Sequence, residues 1–174
     1  MNDQEVIKIN NMELFFRRIT IEDKDKVMNL FRECKDFFVL TEGVIPYDSD
    51  SFFYDLPPGK NLEEKYLYGV FDKNSLVAVI DMVSNYPEKG EWIIGLFLIH
   101  TKIRGIGLGR EIHNLIKNFI ISKGAEKLRI GVLEQNTNAL KFWNKIGYKQ
   151  TKITEPRKFG TKESKAVIMN YYLL

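Results

Sequence analysis

Nine residues near the middle of the chain constrain its fold more than any other stretch: Lys102-Ile103-Arg104-Gly105-Ile106-Gly107-Leu108-Gly109-Arg110. Three glycines alternate along it. An apolar run, Trp92 to Ile99, precedes it, and an amphipathic segment, Leu108 to Ile121, follows. That order reads as strand, tight turn, helix. A backbone without Cβ atoms curls sharply and comes close to a ligand. The first amides of the following helix lack intrahelical partners, and the helix dipole favours negative charge there. The stretch predicts a seat for a phosphate or pyrophosphate.

Three glycine-rich signatures compete for it. The loop of nucleoside triphosphatases needs G-x-x-x-x-G-K-[ST], and no Lys-Ser/Thr follows Gly109. The dinucleotide fingerprint G-x-G-x-x-G/A needs a small residue where Arg110 stands. The pattern [QR]-x-x-G-x-[GA] is matched in full by Arg104-Gly105-Ile106-Gly107-Leu108-Gly109. At these residues the chain resembles the GCN5-related N-acetyltransferase (GNAT) superfamily, whose members bind acyl-coenzyme A.

Composition narrows the class. A chain of 174 residues suffices for one domain with a substantial core. We expect a single domain over residues 1–174, its core over about 12–174. Lys+Arg 26 against Asp+Glu 23 is too balanced to argue for a nucleic-acid partner. The first residues carry no basic-then-apolar signal, and no apolar run approaches the ~20 residues of a membrane span. One cysteine, Cys34, rules out an internal disulfide, and Cys and His are too few for a zinc cluster. The expectation is a cytoplasmic protein without metal, membrane or nucleic-acid partner.

The rest of the chain reads as alternating elements. Met12–Ile19 is a strand after a polar lead-in, and Thr20 caps a helix with Asp23 in the capping-box position. Val27, Leu30, Phe31 and Cys34 share one face of that helix, which makes Cys34 a buried apolar residue. Phe37–Lys60 is irregular, with a short helix near Asp48–Tyr54. Tyr66–Phe71 and Leu76–Val83 are strands around a turn. A connection centred on Pro87 makes a hairpin with Glu91–Ile99, where Gly95 signals a bulge or a close backbone approach. After the glycine turn come a helix closed by Gly124, the strand Lys127–Leu133 and the helix Asn138–Ile146. Tyr148–Ile153 and Lys165–Leu173 are the last strands, joined by a loop with Pro156 and Gly160.

This order matches the GNAT order along the whole chain, and three local stretches support the match. Phe15–Asp23 looks like the family's opening strand and helix start. Phe97-Leu98-Ile99 stands where members pair strand backbone with the pantetheine arm. Asn136-x-x-Ala139-x-x-Phe142-Trp143-x-x-x-Gly147-Tyr148 looks like the second cofactor segment. The resemblance implies an α/β (α+β) fold, a mixed central sheet of about seven strands flanked by about four helices. It implies acetyl-CoA as co-substrate: its arm on Phe97, Leu98, Ile99 and Asn136, its pyrophosphate on the amides of Gly105, Ile106, Gly107, Leu108, Gly109 and Arg110, with the Arg104 and Arg110 side chains nearby. From Ile99 to Arg129 seven basic residues face two acidic ones, a field that attracts an anionic ligand.

The resemblance also implies direct acyl transfer to a primary amine. An amine of pKa about 10.4 must shed a proton first, at roughly 4–5 kcal/mol at pH 7, and a general base offsets that cost. Where some members carry a glutamate, this chain has Ile93 or Gly131. The nearest substitute is Asp81, in an otherwise apolar run and expected opposite Ile93; a structurally paired carboxylate is the competing reading. Glu42 is a second candidate, rather as a substrate contact. His100 reads as surface. Trp143 stands where many members have a tyrosine acid, and an indole N–H is not a useful acid. Arg32–Pro58, with six acidic and two basic residues, corresponds to the substrate-covering region and hints at a cationic acceptor. The partners expected are a small-molecule or peptide amine, with a homodimer as an open option. The alternative function is a non-catalytic acyl-CoA-binding sensor or interaction module.

Overall fold

The computed structural model describes residues 4–173. Ten strands and five α-helices follow in chain order: β1 (Gln4–Ile9), β2 (Met12–Arg18), α1 (Lys24–Glu33), α2 (Lys35–Thr41), α3 (Asp50–Tyr54), β3 (Lys65–Asp72), β4 (Ser75–Ser84), β5 (Glu91–Ile99), α4 (Leu108–Ser122), β6 (Lys127–Leu133), α5 (Thr137–Ile146), β7 (Lys149–Ile153), β8 (Arg157–Phe159), β9 (Lys162–Ser164) and β10 (Ala166–Tyr172). Eight strands form one sheet in the order β1-β2-β3-β4-β5-β6-β10-β7, and β8 pairs with β9. All described pairings are antiparallel except β5 with β6, which α4 connects. A parallel neighbour needs such a crossover.

The sheet has a core on each face. On one, α4 and α5 bury Ile112, Ile116, Ile120 and Trp143 against Phe16, Tyr68, Ile80, Ile94 and Leu128. On the other, α1 to α3 bury Val27, Phe31, Phe38 and Phe52 against Leu67, Val79 and Leu98. Each fully buried side chain of this size stabilises by roughly 1.5–3 kcal/mol. Cys34 belongs to the second core, fully buried, and burial raises its thiol pKa.

Three elements depart from the expectations. The polar lead-in is an edge strand: β1 pairs with β2 along its length, Val6 exposed and Ile7 buried. Residues 35–41 are helical, because Phe38 and Thr41 bury one face against the core. The loop with Pro156 and Gly160 folds as the β8–β9 hairpin. The sheet therefore has eight strands rather than seven, and five α-helices rather than four. Asp23 accepts the Thr20 amide at 3.2 Å, as the capping-box spacing requires; a short 3-10 turn separates that cap from α1.

Candidate active site

The register of β5 builds the site. β4 pairs with β5 from Ser84↔Trp92 to Met82↔Ile94, then resumes at Asp81↔Leu96. Gly95 is thus the unpaired residue of a bulge, as its place inside the strand suggested. The bulge shifts the register, so Asp81 lies opposite Leu96 and not opposite Ile93, whose partner is Val83. The pairing of β5 with β6 ends at Ile94↔Ile130, although β5 continues to Ile99 and β6 to Leu133. From Gly95 onward the two strands part and leave a wedge.

Alternation decides which backbone groups of β5 face that wedge. The His100 amide donates to the Val77 carbonyl at 2.8 Å. Leu98 and Leu96 share that orientation toward β4, so the peptide groups of Phe97 and Ile99 point to the open side. Of the expected triplet, Leu98 is committed to β4. The Ile99 carbonyl is also taken: Arg104 Nε donates to it at 2.7 Å, and the Cys34 thiol lies 3.6 Å away. The Phe97 amide and carbonyl and the Ile99 amide remain. The Phe97 ring lies edge-on to Trp143 at 5.2 Å. Trp143 is buried against Phe142, His113 and Tyr148, so the residue in the tyrosine position is part of an aromatic core.

Beyond β5 the chain makes a 3-10 turn over Thr101–Ile103 and then the glycine turn. Gly107, with φ 95°, is the N-cap of α4, a conformation other residues reach only with strain. Its carbonyl accepts the amides of Arg110 and Glu111. The Arg110 amide is therefore used inside the turn, and no acceptor is found among the described residues for the amides of Gly105, Ile106, Gly107, Leu108 and Gly109. Those amides at the start of a 15-residue helix fit a pyrophosphate. Gly109 serves packing instead: a Cβ there would lie 2.9 Å from Phe142 Cζ and 3.3 Å from Ile99 Cδ1. Asn136 caps α5 by accepting the Ala139 amide at 3.2 Å, which leaves its NH2 group as donor.

The two arginines differ. Arg110 is exposed and makes no ion pair among the described residues. Arg104 forks onto Asp36 of α2. His100 is not plain surface: its side chain is largely buried, its Nδ1 accepts the Lys102 amide at 3.1 Å, and its Nε2 meets the Glu33 carboxylate. Two of the six acids of the Arg32–Pro58 segment, Glu33 and Asp36, are thus engaged by side chains of the turn that follows β5.

Asp81 lies beside the bulge. Its Oδ2 accepts from Lys65 Nζ at 2.8 Å, while its Oδ1 is buried without a partner. Burial raises its pKa above the ordinary carboxylate value, against the opposing charge and hydrogen bond of Lys65. Sequence reasoning missed Lys65, because its pairing with Asp81 depends on the β3–β4 register. Glu42, the C-cap of α2, is half-buried; its carboxylate has no partner among the described residues, and burial raises its pKa too. The Glu42 carbonyl accepts the Thr161 amide at 2.7 Å, so the β8–β9 hairpin docks on the end of α2. Among the described residues no group of His, Cys, Asp and Glu is arranged to hold a metal ion, and no helix is long and apolar enough to cross a membrane.

Comparison with known proteins bears on the fold and the family. The chain is similar over 91% of its length to an acetyltransferase from Thermus thermophilus (TM-score 0.73, 21% identity, 96% of that chain). Over 92% it is similar to the ribosomal-protein-S18-alanine N-acetyltransferase from Escherichia coli (0.69, 13%, 94%). Over 97% it is similar to the GNAT domain of S. lividans PAT (0.71, 14%, 96%). At such identities the likeness establishes the fold. No curated protein matches the sequence. Residues 58–167, well over half of the chain, match the family model described as acetyltransferase (GNAT) domain, and the chain belongs to that family of acetyltransferases.

Proposed function

We propose that this chain transfers the acetyl group of acetyl-CoA to a primary amine, directly and within a ternary complex, as a single domain over residues 1–174. The observation that carries the reading is the wedge between β5 and β6 beside a buried carboxylate oxygen that has no partner, Asp81 Oδ1. An unsatisfied buried acceptor costs free energy and calls for a donor, and an ammonium group supplies one.

In this reading the donor lies along the open backbone of Phe97 and Ile99. The Asn136 amide group contacts its arm, and the amides of Gly105–Gly109 hold its pyrophosphate, with Arg110 beside it. The acceptor ammonium gives one proton to Asp81. The freed lone pair attacks the thioester carbonyl, the C–S bond breaks, and the thiolate leaves. The second N–H proton reaches the sulfur through water. A thiol of pKa about 8.5 leaves as thiolate at pH 7 for about 2 kcal/mol, so a buried Trp143 in the acid position does not stop the reaction. Glu42, at the acceptor side, is a contact for a cationic acceptor. The acceptor classes are polyamines, aminoglycoside-like amines, amino acids and protein amines, and the expected location is the cytoplasm.

The test is thiol release from acetyl-CoA with a panel of those amines, for wild type and Asp81→Asn. The reading expects turnover with at least one amine and a loss of at least 100-fold in kcat for the variant, with the acetyl-CoA KM within twofold. Binding of CoA without thiol release across the panel would instead support the non-catalytic sensor.

A further inference from the structure

Lys65, the first residue of β3, is a buried cation that the donor site does not use. Its side chain is 2% exposed. A lysine removed from water must use its N–H donors and meet a negative charge. Nζ does both: it donates to Asp81 Oδ2 at 2.8 Å and to the Asp55 carbonyl, after α3, at 2.9 Å. The same Oδ2 lies 3.0 Å from where a Cβ on Gly95 would stand. One carboxylate oxygen is therefore held between Lys65 and the bulge of β5, and only the other is unclaimed. Antiparallel pairing fixes the arrangement, since Leu67 of β3 lies opposite Asp81 of β4.

We propose that Lys65 is the positioning residue of the acyl transfer: by holding Oδ2 it locks the Asp81 carboxylate in one orientation and leaves Oδ1 alone to take the proton of the acceptor amine. The proposal rests on the reading of Asp81 above. Lys65 also tunes the acidity of the group. Burial pushes the Asp81 carboxyl up, the Lys65 charge and hydrogen bond pull it down, and the Asp55 charge adds a smaller upward push. The other residues around it, Val79 and Val83 on β4, Leu67 on β3, and Gly95 and Leu96 on β5, carry no charge. Lys65 is the cation that draws the Asp81 carboxyl toward its ionised form, against the effect of burial. Without it the carboxyl holds its proton to higher pH.

The experiment compares wild type, Lys65→Met, Lys65→Arg and Asp81→Asn, all full length, by two readouts. The first is the pH profile of kcat/KM with acetyl-CoA and whichever amine of the panel wild type turns over fastest. The second needs no acceptor: a carbon-13 NMR titration of the aspartate carboxyls, in which Asp81→Asn identifies the resonance. In Lys65→Met we expect the acidic limb and the Asp81 titration to move up together by at least one pH unit. We expect kcat at pH 7 to fall at least tenfold and the acetyl-CoA KM to stay within twofold. Lys65→Arg keeps the charge and should hold both midpoints within half a unit of wild type. Unmoved midpoints in folded Lys65→Met overturn the proposal. Should Lys65→Met fail to fold, a Lys65→Arg titration displaced upward by a full unit overturns it, and midpoints held near wild type support it. An Asp81→Asn enzyme as active as wild type sinks the reading of Asp81 itself. An inactive Asp81→Asn beside an unshifted Lys65→Met removes the role of Lys65 only.

Discussion

The Arg104 guanidinium pairs with the Asp36 carboxylate across the boundary between the glycine turn and α2, while its Nε holds the Ile99 carbonyl at 2.7 Å. Arg104 is the first residue of the glycine-rich motif, yet its charge is matched by a protein carboxylate. It acts on the turn as a brace. Asp36→Asn is therefore expected to change CoA affinity less than about threefold. Both side chains are substantially exposed, and such pairs couple by about 0.2–1 kcal/mol. A double-mutant cycle over Arg104→Ala and Asp36→Asn, read by calorimetric CoA titration, checks this. Loss of binding in Arg104→Ala alone would mean that the charge itself meets phosphate.

Gly107→Val should behave differently. A β-branched residue at φ 95° strains the N-cap of α4 and tilts the free amides away from a common target. CoA affinity should fall at least tenfold, with circular dichroism and urea midpoint close to wild type. Undiminished binding would remove the pyrophosphate from this turn.

Gly109→Ala tests packing rather than conformation. A Cβ 2.9 Å from the Phe142 ring forces that ring to move, and overpacking of this kind costs about 1–3 kcal/mol. The urea midpoint should fall accordingly. Phe142→Leu in the same chain should return part of the loss, a coupling expected of side chains in contact.

His113 sets a pH dependence of stability. It is 2% exposed, 3.2 Å from the Tyr148 hydroxyl. Burial, with a smaller contribution from the Lys117 charge, lowers its pKa from 6.5 to about 4. The folded state keeps the ring neutral while the unfolded chain protonates it near 6.5. The contribution is complete above that pH and is lost as pH falls from 6.5 toward 4, by about 1.4 kcal/mol per unit and about 3 kcal/mol in all. Denaturant titrations at pH 7, 6 and 5 on wild type and His113→Gln should diverge by that slope. Parallel curves would show that His113 is not the group responsible.

The residues that carried the family reading are local ones. Arg104–Gly109 needs only its own backbone and the helix it starts, and the glycine alternation is visible without any contact. Gly95 marked its bulge for the same reason. Lys35–Thr41 and the β8–β9 hairpin escaped notice because neither has a sufficient pattern alone: α2 is held by Phe38 on the core, and the hairpin by Thr161 on the Glu42 carbonyl.

What the sequence by itself determined is the glycine turn after β5, the helix it starts and the main strands and helices around them, because turn conformation, amphipathic period and capping act within a few residues. What only the tertiary structure decided is the use of the charges. Register placed Asp81 against Leu96 and handed one of its oxygens to Lys65, sixteen residues earlier in the chain. Packing gave Arg104 to Asp36 and His100 to Glu33. A charge acts on whatever lies within a few ångströms, and the fold alone sets that neighbourhood.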